Sequence, residues 1–224
     1  MSSAFAPRLE ILPDAQRRLW VELGDTPAGF TLYGGTAIAL RLGHRQSLDF
    51  DFFAQTPFEA DALLKEIPYL KDAVVRQSSP NTLTATVDRG GPVQVSFFGN
   101  LGRGQVEAPD LIREPRLTIA SLIDLAGTKA KVILQRIESK DYIDIHALMI
   151  KGNIPLARIV AAASVIFGPQ MNPLDALKAI AYHQDPALAV LSDEIKADLV
   201  KAVQTTDPEN LPVLSPIKGW RARA

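Results

Sequence analysis

The 224-residue sequence contains no cysteine. Disulfides, thiolate nucleophiles and Cys-ligated zinc or iron–sulfur sites are thereby excluded together. Histidine is scarce too: His44, His146 and His183 are far apart and lack metal-ligand spacing, so neither a histidine zinc site nor a Ser-His-Asp hydrolase has support. Local hydrogen bonding is the expectation for all three. No sign of charge dominates, since 24 Lys+Arg stand against 25 Asp+Glu. Without a global basic field, any contact with RNA or DNA has to come from a local patch. No stretch approaches the roughly 18 apolar residues of a membrane span, and residues 1–10 lack the layout of a secretory signal. These absences predict a cytoplasmic protein that makes no use of a membrane. What is present, 47% hydrophobic and 22% charged residues, suits one globular core or two small adjoining ones.

Periodicity predicts a mixed first half. Ala15, Leu19 and Leu23 recur at helical spacing around Trp20, predicting a helix over 13–23. Residues 30–33 read as a short strand running into Gly34-Gly35, after which Thr36 is expected to cap a helix that Gly43 ends. Residues 48–53 alternate polar and apolar through Phe52, which makes a strand with Phe50 and Phe52 on one face and Asp49 and Asp51 on the other. A helix over 58–67 and strands over 73–77, 82–87 and 93–98 follow, the last two joined as a hairpin across 88–92. From about Thr118 the pattern turns helical, with helices predicted over 119–137, 140–151, 155–167, 173–183 and 192–203. The expected organisation is an α/β domain over 1–115, a helical domain over 116–206 and a tail over 207–224. Gly102 to Pro115, with its glycines and prolines, reads as the boundary.

Two carboxylates at i and i+2 on a strand share a face with Cα atoms roughly 6–7 Å apart, close enough to converge on a divalent cation. Asp49 and Asp51 meet that condition. They also repel one another unless a cation, an arginine or hydrogen bonds compensate them. An isolated Asp-x-Asp is more often a solvent-facing polar stripe, but here Gly34-Gly35-Thr36 precedes it at a strand-to-helix turn. Glycines there let backbone amides approach phosphate oxygens, and the helix N-terminus adds positive potential. A metal-bound nucleoside triphosphate needs both devices.

The run from Tyr33 through Gly34, Gly35 and Thr36 to Asp49, Phe50, Asp51 and Phe53 resembles the signature of the DNA polymerase β-like nucleotidyltransferase superfamily. Within it, the chain is most similar to the AbiEii/AbiGii-type toxins, the nucleotidyltransferase half of abortive-infection toxin–antitoxin pairs. A second block, Asp124-Leu125-Ala126 followed by Lys129, Arg136 and Lys140-Asp141-Tyr142-Ile143-Asp144, is similar to that family's helical motif. The resemblance implies an α+β fold: a polymerase β-like nucleotidyltransferase domain with a small mixed sheet, followed by a C-terminal helical bundle. It also implies transfer of a nucleoside monophosphate from an NTP to an RNA acceptor, tRNA included, or to a protein, with Mg²⁺ or Mn²⁺ as cofactor and a cognate antitoxin as partner. By position, Gly34, Gly35 and Thr36 would cradle the triphosphate, joined by Arg45 and Ser47. Asp49 and Asp51 would hold the metal and Lys129 would approach the phosphates, while Arg136, Lys140, Asp141 and Asp144 would organise the adjoining helical wall.

One departure from the family pattern stands out. Many polymerase β-like enzymes supply a third carboxylate from a later strand, and the aligned position here is Ser96, on the face shared with Gln94 and Phe98. Serine is neither a carboxylate base nor a strong metal ligand. Asp88, Asp141 or Asp144 could substitute, or the chain could bind nucleotide without transferring it. A metal-dependent phosphohydrolase is a third reading of the same carboxylates. Arg41, Arg45 and Arg136 are further candidates for triphosphate or acceptor contact, although arginines commonly serve a solvated surface. The terminal run Lys218 to Arg223 reads as a flexible end whose charges around Trp220 would also suit RNA or a partner.

Overall fold

In β2 (Asp49–Phe53), Phe50 and Phe52 are fully buried and alternate with half-buried Asp49, Asp51 and Phe53. That period of two puts one face of the strand on a core and leaves the other accessible. The computed structural model describes residues 6–217. It divides them into two compact units, one built from the chain up to Gly102 together with Pro109–Ala120, the other from Arg103–Ala108 together with the chain from Ser121 onward.

In the first unit β2 lies mid-sheet, antiparallel to β1 (Thr31–Tyr33) and parallel to β5 (Pro92–Phe98). With β3 (Val74–Ser79), β4 (Thr82–Asp88), β6 (Asp110–Ile112) and β7 (Leu117–Ile119) it forms a seven-stranded mixed sheet in the order β3-β4-β5-β2-β1-β7-β6. Helices α1 (Asp14–Trp20), α2 (Gly34–Leu42) and α3 (Ala60–Glu66) belong to this unit. On the buried face Phe52 stacks on Phe97 at 5.3 Å, Phe30 meets Phe97 edge-on at 5.2 Å, and Trp20 tilts over Phe50 at 6.2 Å. The β4–β5 hairpin is closed by Asp88, whose Oδ1 accepts the amides of Gly90 and Gly91 at 2.8 and 3.0 Å.

The second unit is helical: α4 (Leu122–Ile133), α5 (Ser139–Ile150), α6 (Leu156–Phe167), α7 (Pro173–Ala181) and α8 (Asp193–Gln204). Ser121, Asn172 and Ser192 cap three of them through side-chain oxygens that accept first-turn amides. Gly127 lets α4 and α6 approach closely, because a Cβ there would stand 2.8 Å from both the Ala163 amide nitrogen and Ile166 Cδ1. Asp124 gathers the 103–108 segment by accepting the Val106 and Glu107 amides at 2.9 Å each.

The α+β class, a mixed sheet followed by helices, is as expected. Several details differ. The 102–115 stretch, expected to be the boundary, contributes β6, and Ile119 ends β7 instead of opening a helix. The first helix stops at Trp20 and is followed by a 3₁₀ turn at Leu23–Asp25. Helix α4 ends at Ile133, short of the predicted 137. Finally, α2 begins at Gly34 with Tyr33 preceding it, so Thr36 lies inside the first turn and does not cap it; Gly43, at φ +59, ends this helix as anticipated. Among the described residues no helix is long and apolar enough to cross a membrane. The basic run 218–223 lies outside the described residues.

Candidate active site

The accessible face of β2 carries Asp49 and Asp51. In register beside them on β5 stand Gln94 and Ser96, and on β1 Tyr33 pairs with Asp51. The chain leaves Tyr33 through Gly34, whose φ of +74 favours glycine. Space demands it as well: a Cβ at Gly34 would overlap Asp51 Oδ2 and come within 3.2 Å of its Cγ. A carboxylate and a backbone turn therefore meet at a distance that only glycine permits.

The second glycine is similarly enclosed. A Cβ at Gly35 would stand 2.6 Å from Arg45 Nη2 and 3.0 Å from Ser47 Oγ, so both predicted side chains close on the turn from the segment preceding β2. Arg45 also donates to the Gln46 carbonyl at 2.8 Å. Thr36 is buried and its hydroxyl donates to the Asp49 carbonyl. That bond ties the start of α2 to the strand that bears the carboxylates. Gly34, Gly35, Thr36, Arg45, Ser47, Asp49 and Asp51 are thus gathered in one place within the first unit.

Ser96 lies beside Asp51 and is 3% exposed. Thr84 Oγ1, in register on β4, is 3.4 Å from Ser96 Oγ, so this level of the sheet is hydroxylic where the family pattern would supply a third carboxylate. Asp88 does not replace it. Four residues further along β4 than Thr84, it is roughly 14 Å away along the strand and caps the hairpin. The amides of Gly91 and Gly90 hold its pKa below the usual carboxylate value.

No group of three or more His, Asp or Glu residues able to hold a metal occurs among the described residues. Mg²⁺, however, characteristically takes one or two protein carboxylates and completes its shell with water and substrate phosphates. Two carboxylates on one accessible face, beside a turn that a Cβ would block, suit that cation and do not suit one that needs a closed protein cage.

The second unit holds the other predicted residues. Lys129 is 5% exposed, and its Nζ lies 2.8 Å from Asp141 Oδ1 and 2.9 Å from Asp144 Oδ2, both fully buried. Arg136 adds a forked contact to Asp141, Nε to Oδ2 at 2.9 Å and Nη2 to Oδ1 at 3.1 Å. Burial pushes the Asp141 pKa up, but the Arg136 hydrogen bond and the Lys129 charge outweigh it, so the net shift is downward. Lys140 pairs with Glu138 on the surface at 2.8 Å. Arg41, read as a possible triphosphate ligand, instead ties the first unit together, with Nε 3.0 Å from the Ala120 carbonyl and Nη2 2.7 Å from Asp110. His146 meets Asp198 at 2.9 Å, the local role expected of it.

One group escaped the sequence reading. Tyr33 and Phe53 stack at 4.8 Å and 19°, and Phe53 meets Phe98 edge-on at 5.4 Å, all three half-buried on the carboxylate face. The signal was present: alternation fails at Phe52-Phe53, which puts an aromatic on the face that otherwise carries Asp49 and Asp51.

A mixed sheet with paired carboxylates facing a glycine turn defines a protein with the nucleotidyltransferase fold. The structural comparison agrees, since a candidate nucleotidyltransferase from H. pylori superposes with a TM-score of 0.55 at 19% identity, over 84% of this chain and 90% of that one. The toxin MenT4 of Mycobacterium tuberculosis H37Rv, described as a nucleotidyltransferase, superposes at a TM-score of 0.45 and 15% identity, over 84% and 90%. The family model described as nucleotidyl transferase AbiEii toxin, Type IV TA system, matches residues 18–212, and the chain belongs to that family. An uncharacterized protein of Aquifex aeolicus (strain VF5) is 36% identical over 124 residues, which is 54% of this chain and 58% of that protein. The match therefore spans little more than half the length of that curated relative.

Proposed function

We propose that the chain is a Mg²⁺-dependent nucleotidyltransferase that moves a nucleoside monophosphate from an NTP to a hydroxyl of an RNA or protein acceptor, acting as the toxin of a toxin–antitoxin pair in the cytoplasm. The observation that carries this reading is the closeness of Asp51 to the backbone at Gly34, which only a glycine allows. The turn that opens α2 and the carboxylate of Asp51 thereby lie side by side, as a metal–triphosphate requires of its amide donors and metal ligands.

In this reading the amides of the first turn of α2, with Arg45 and Ser47, hold the terminal phosphates. Asp49 and Asp51 hold the cation, which supplies neutralisation of charge on the phosphates. The acceptor oxygen forms a bond to the α-phosphorus, the α–β bridging P–O bond breaks, and pyrophosphate leaves. Ser96 is no base, so the acceptor's proton passes to Asp51, its neighbour on the sheet, or to water. Thr36 acts as a positioning residue by fixing the Asp49 backbone. Membership of the AbiEii toxin family supports both the toxin assignment and an antitoxin partner.

The test is incubation of the purified chain with each α-labelled NTP, Mg²⁺ and total cellular RNA, with an Asp49→Ala variant in parallel. Label in RNA or protein that disappears with the variant is expected. Retention of labelling in Asp49→Ala would refute the site. Metal-dependent NTP binding without product would favour the second reading, a nucleotide-binding module, for which the buried serine at position 96 speaks.

A further inference from the structure

The carboxylate face of the sheet is polar at Asp49, Asp51, Thr84, Gln94 and Ser96, yet at one end it turns aromatic. Phe53 follows Asp51 by two residues, which is about 7 Å along the strand, on the side away from the glycine turn. Phe98 pairs with Phe53 across β2 and β5, while Tyr33 pairs with Asp51 and leans over to stack on Phe53. All three residues are half-buried, whereas Phe50, Phe52 and Phe97 on the opposite face are fully buried.

Along β2 the order is glycine turn with Asp49, then Asp51, then rings. A nucleoside triphosphate has the same order: terminal phosphates, α-phosphate, and a flat π-system one sugar further on. From this correspondence we infer that Tyr33, Phe53 and Phe98 form the platform that receives the nucleobase of the donor nucleotide. The inference rests on the proposed triphosphate site and adds to it the subsite for the base. Stacking on rings is tolerant of sequence, since every base offers a π-face. The platform therefore contributes affinity for a nucleoside over bare phosphate and contributes little to the choice among bases.

Equilibrium binding of the four NTPs and of inorganic tripolyphosphate, each with Mg²⁺, separates the two ideas. Wild type is expected to bind NTPs more tightly than tripolyphosphate. Phe98→Leu, which keeps apolar bulk and loses the ring, is expected to weaken all four NTPs by about tenfold or more while tripolyphosphate stays within about twofold. Phe98→Tyr, which restores a ring, is expected to recover NTP affinity and guards against a folding defect in the leucine variant. The platform is overturned if wild type holds tripolyphosphate as tightly as NTP, if Phe98→Leu binds NTP normally, or if it weakens both ligands equally. Wild type binding neither ligand would overturn the triphosphate site itself, and the platform with it.

Discussion

Replacing Gly34 by alanine perturbs the closest approach in the site. The residue sits at φ +74, where an L side chain costs about 1–2 kcal/mol. The new methyl would overlap Asp51 Oδ2 and crowd its Cγ at 3.2 Å, so the carboxylate has to leave its rotamer, costing about 0.5–1.5 kcal/mol more. Against this, alanine restricts the unfolded chain and returns about 0.4–1 kcal/mol. The net expectation is about 0.5–3 kcal/mol of lost stability, which equilibrium urea unfolding resolves. The larger consequence is for transfer. A carboxylate moved by about 1 Å costs on the order of 100-fold in rate when its placement is what the chemistry uses. Gly29 supplies the control, since its φ is +108 but nothing stands within 4 Å of its Cβ position. Gly29→Ala should lose stability and keep its transfer rate. Wild-type transfer by Gly34→Ala, or an equal loss in both variants, would refute the argument that this glycine serves the carboxylate.

Lys129→Met removes the buried ammonium that Asp141 and Asp144 share and should cost about 3–5 kcal/mol in urea unfolding, so lost activity there would not by itself make Lys129 catalytic. Because the folded pKa of Asp141 is depressed, its contribution is fully present above its unfolded value of about 3.9 and is lost as pH falls through the lower folded value. Asp141→Asn should accordingly flatten the acid limb of stability against pH, and an unchanged limb would contradict the assignment. Ser96→Asp places a carboxylate beside Asp51, and its melting temperature should fall in chelator and recover with Mg²⁺ more than that of wild type. Equal metal responses would mean that Asp51 and position 96 do not share a cation.

The parts legible in the sequence are those governed by short-range period. Alternation over 48–52 placed both carboxylates on one face, and Gly43 marked the end of α2. Strands β6 and β7 are three residues each, too short for a period to register, and β7 owes its place to parallel pairing with distant β1. Thr36 looked like a cap because threonine caps helices, but its hydroxyl found the Asp49 carbonyl, a partner that only the folded sheet supplies. Lys129 is a similar case: a lysine is ordinarily a surface residue, and its burial depends on Asp141 and Asp144, one turn apart on α5. Arg41 was drawn toward phosphate by its charge, whereas Asp110 and the Ala120 carbonyl occupy it.

The central claim is attack at the α-phosphorus by a site built on Asp49 and Asp51. Its most direct test is to supply one NTP labelled in turn at the α- and γ-positions, with Mg²⁺ and cellular RNA, and to follow both labels. The account predicts α-label in a macromolecular product, γ-label in released pyrophosphate, and neither in Asp51→Asn. Label from the γ-position in the product, or release of inorganic phosphate without any product, would contradict it.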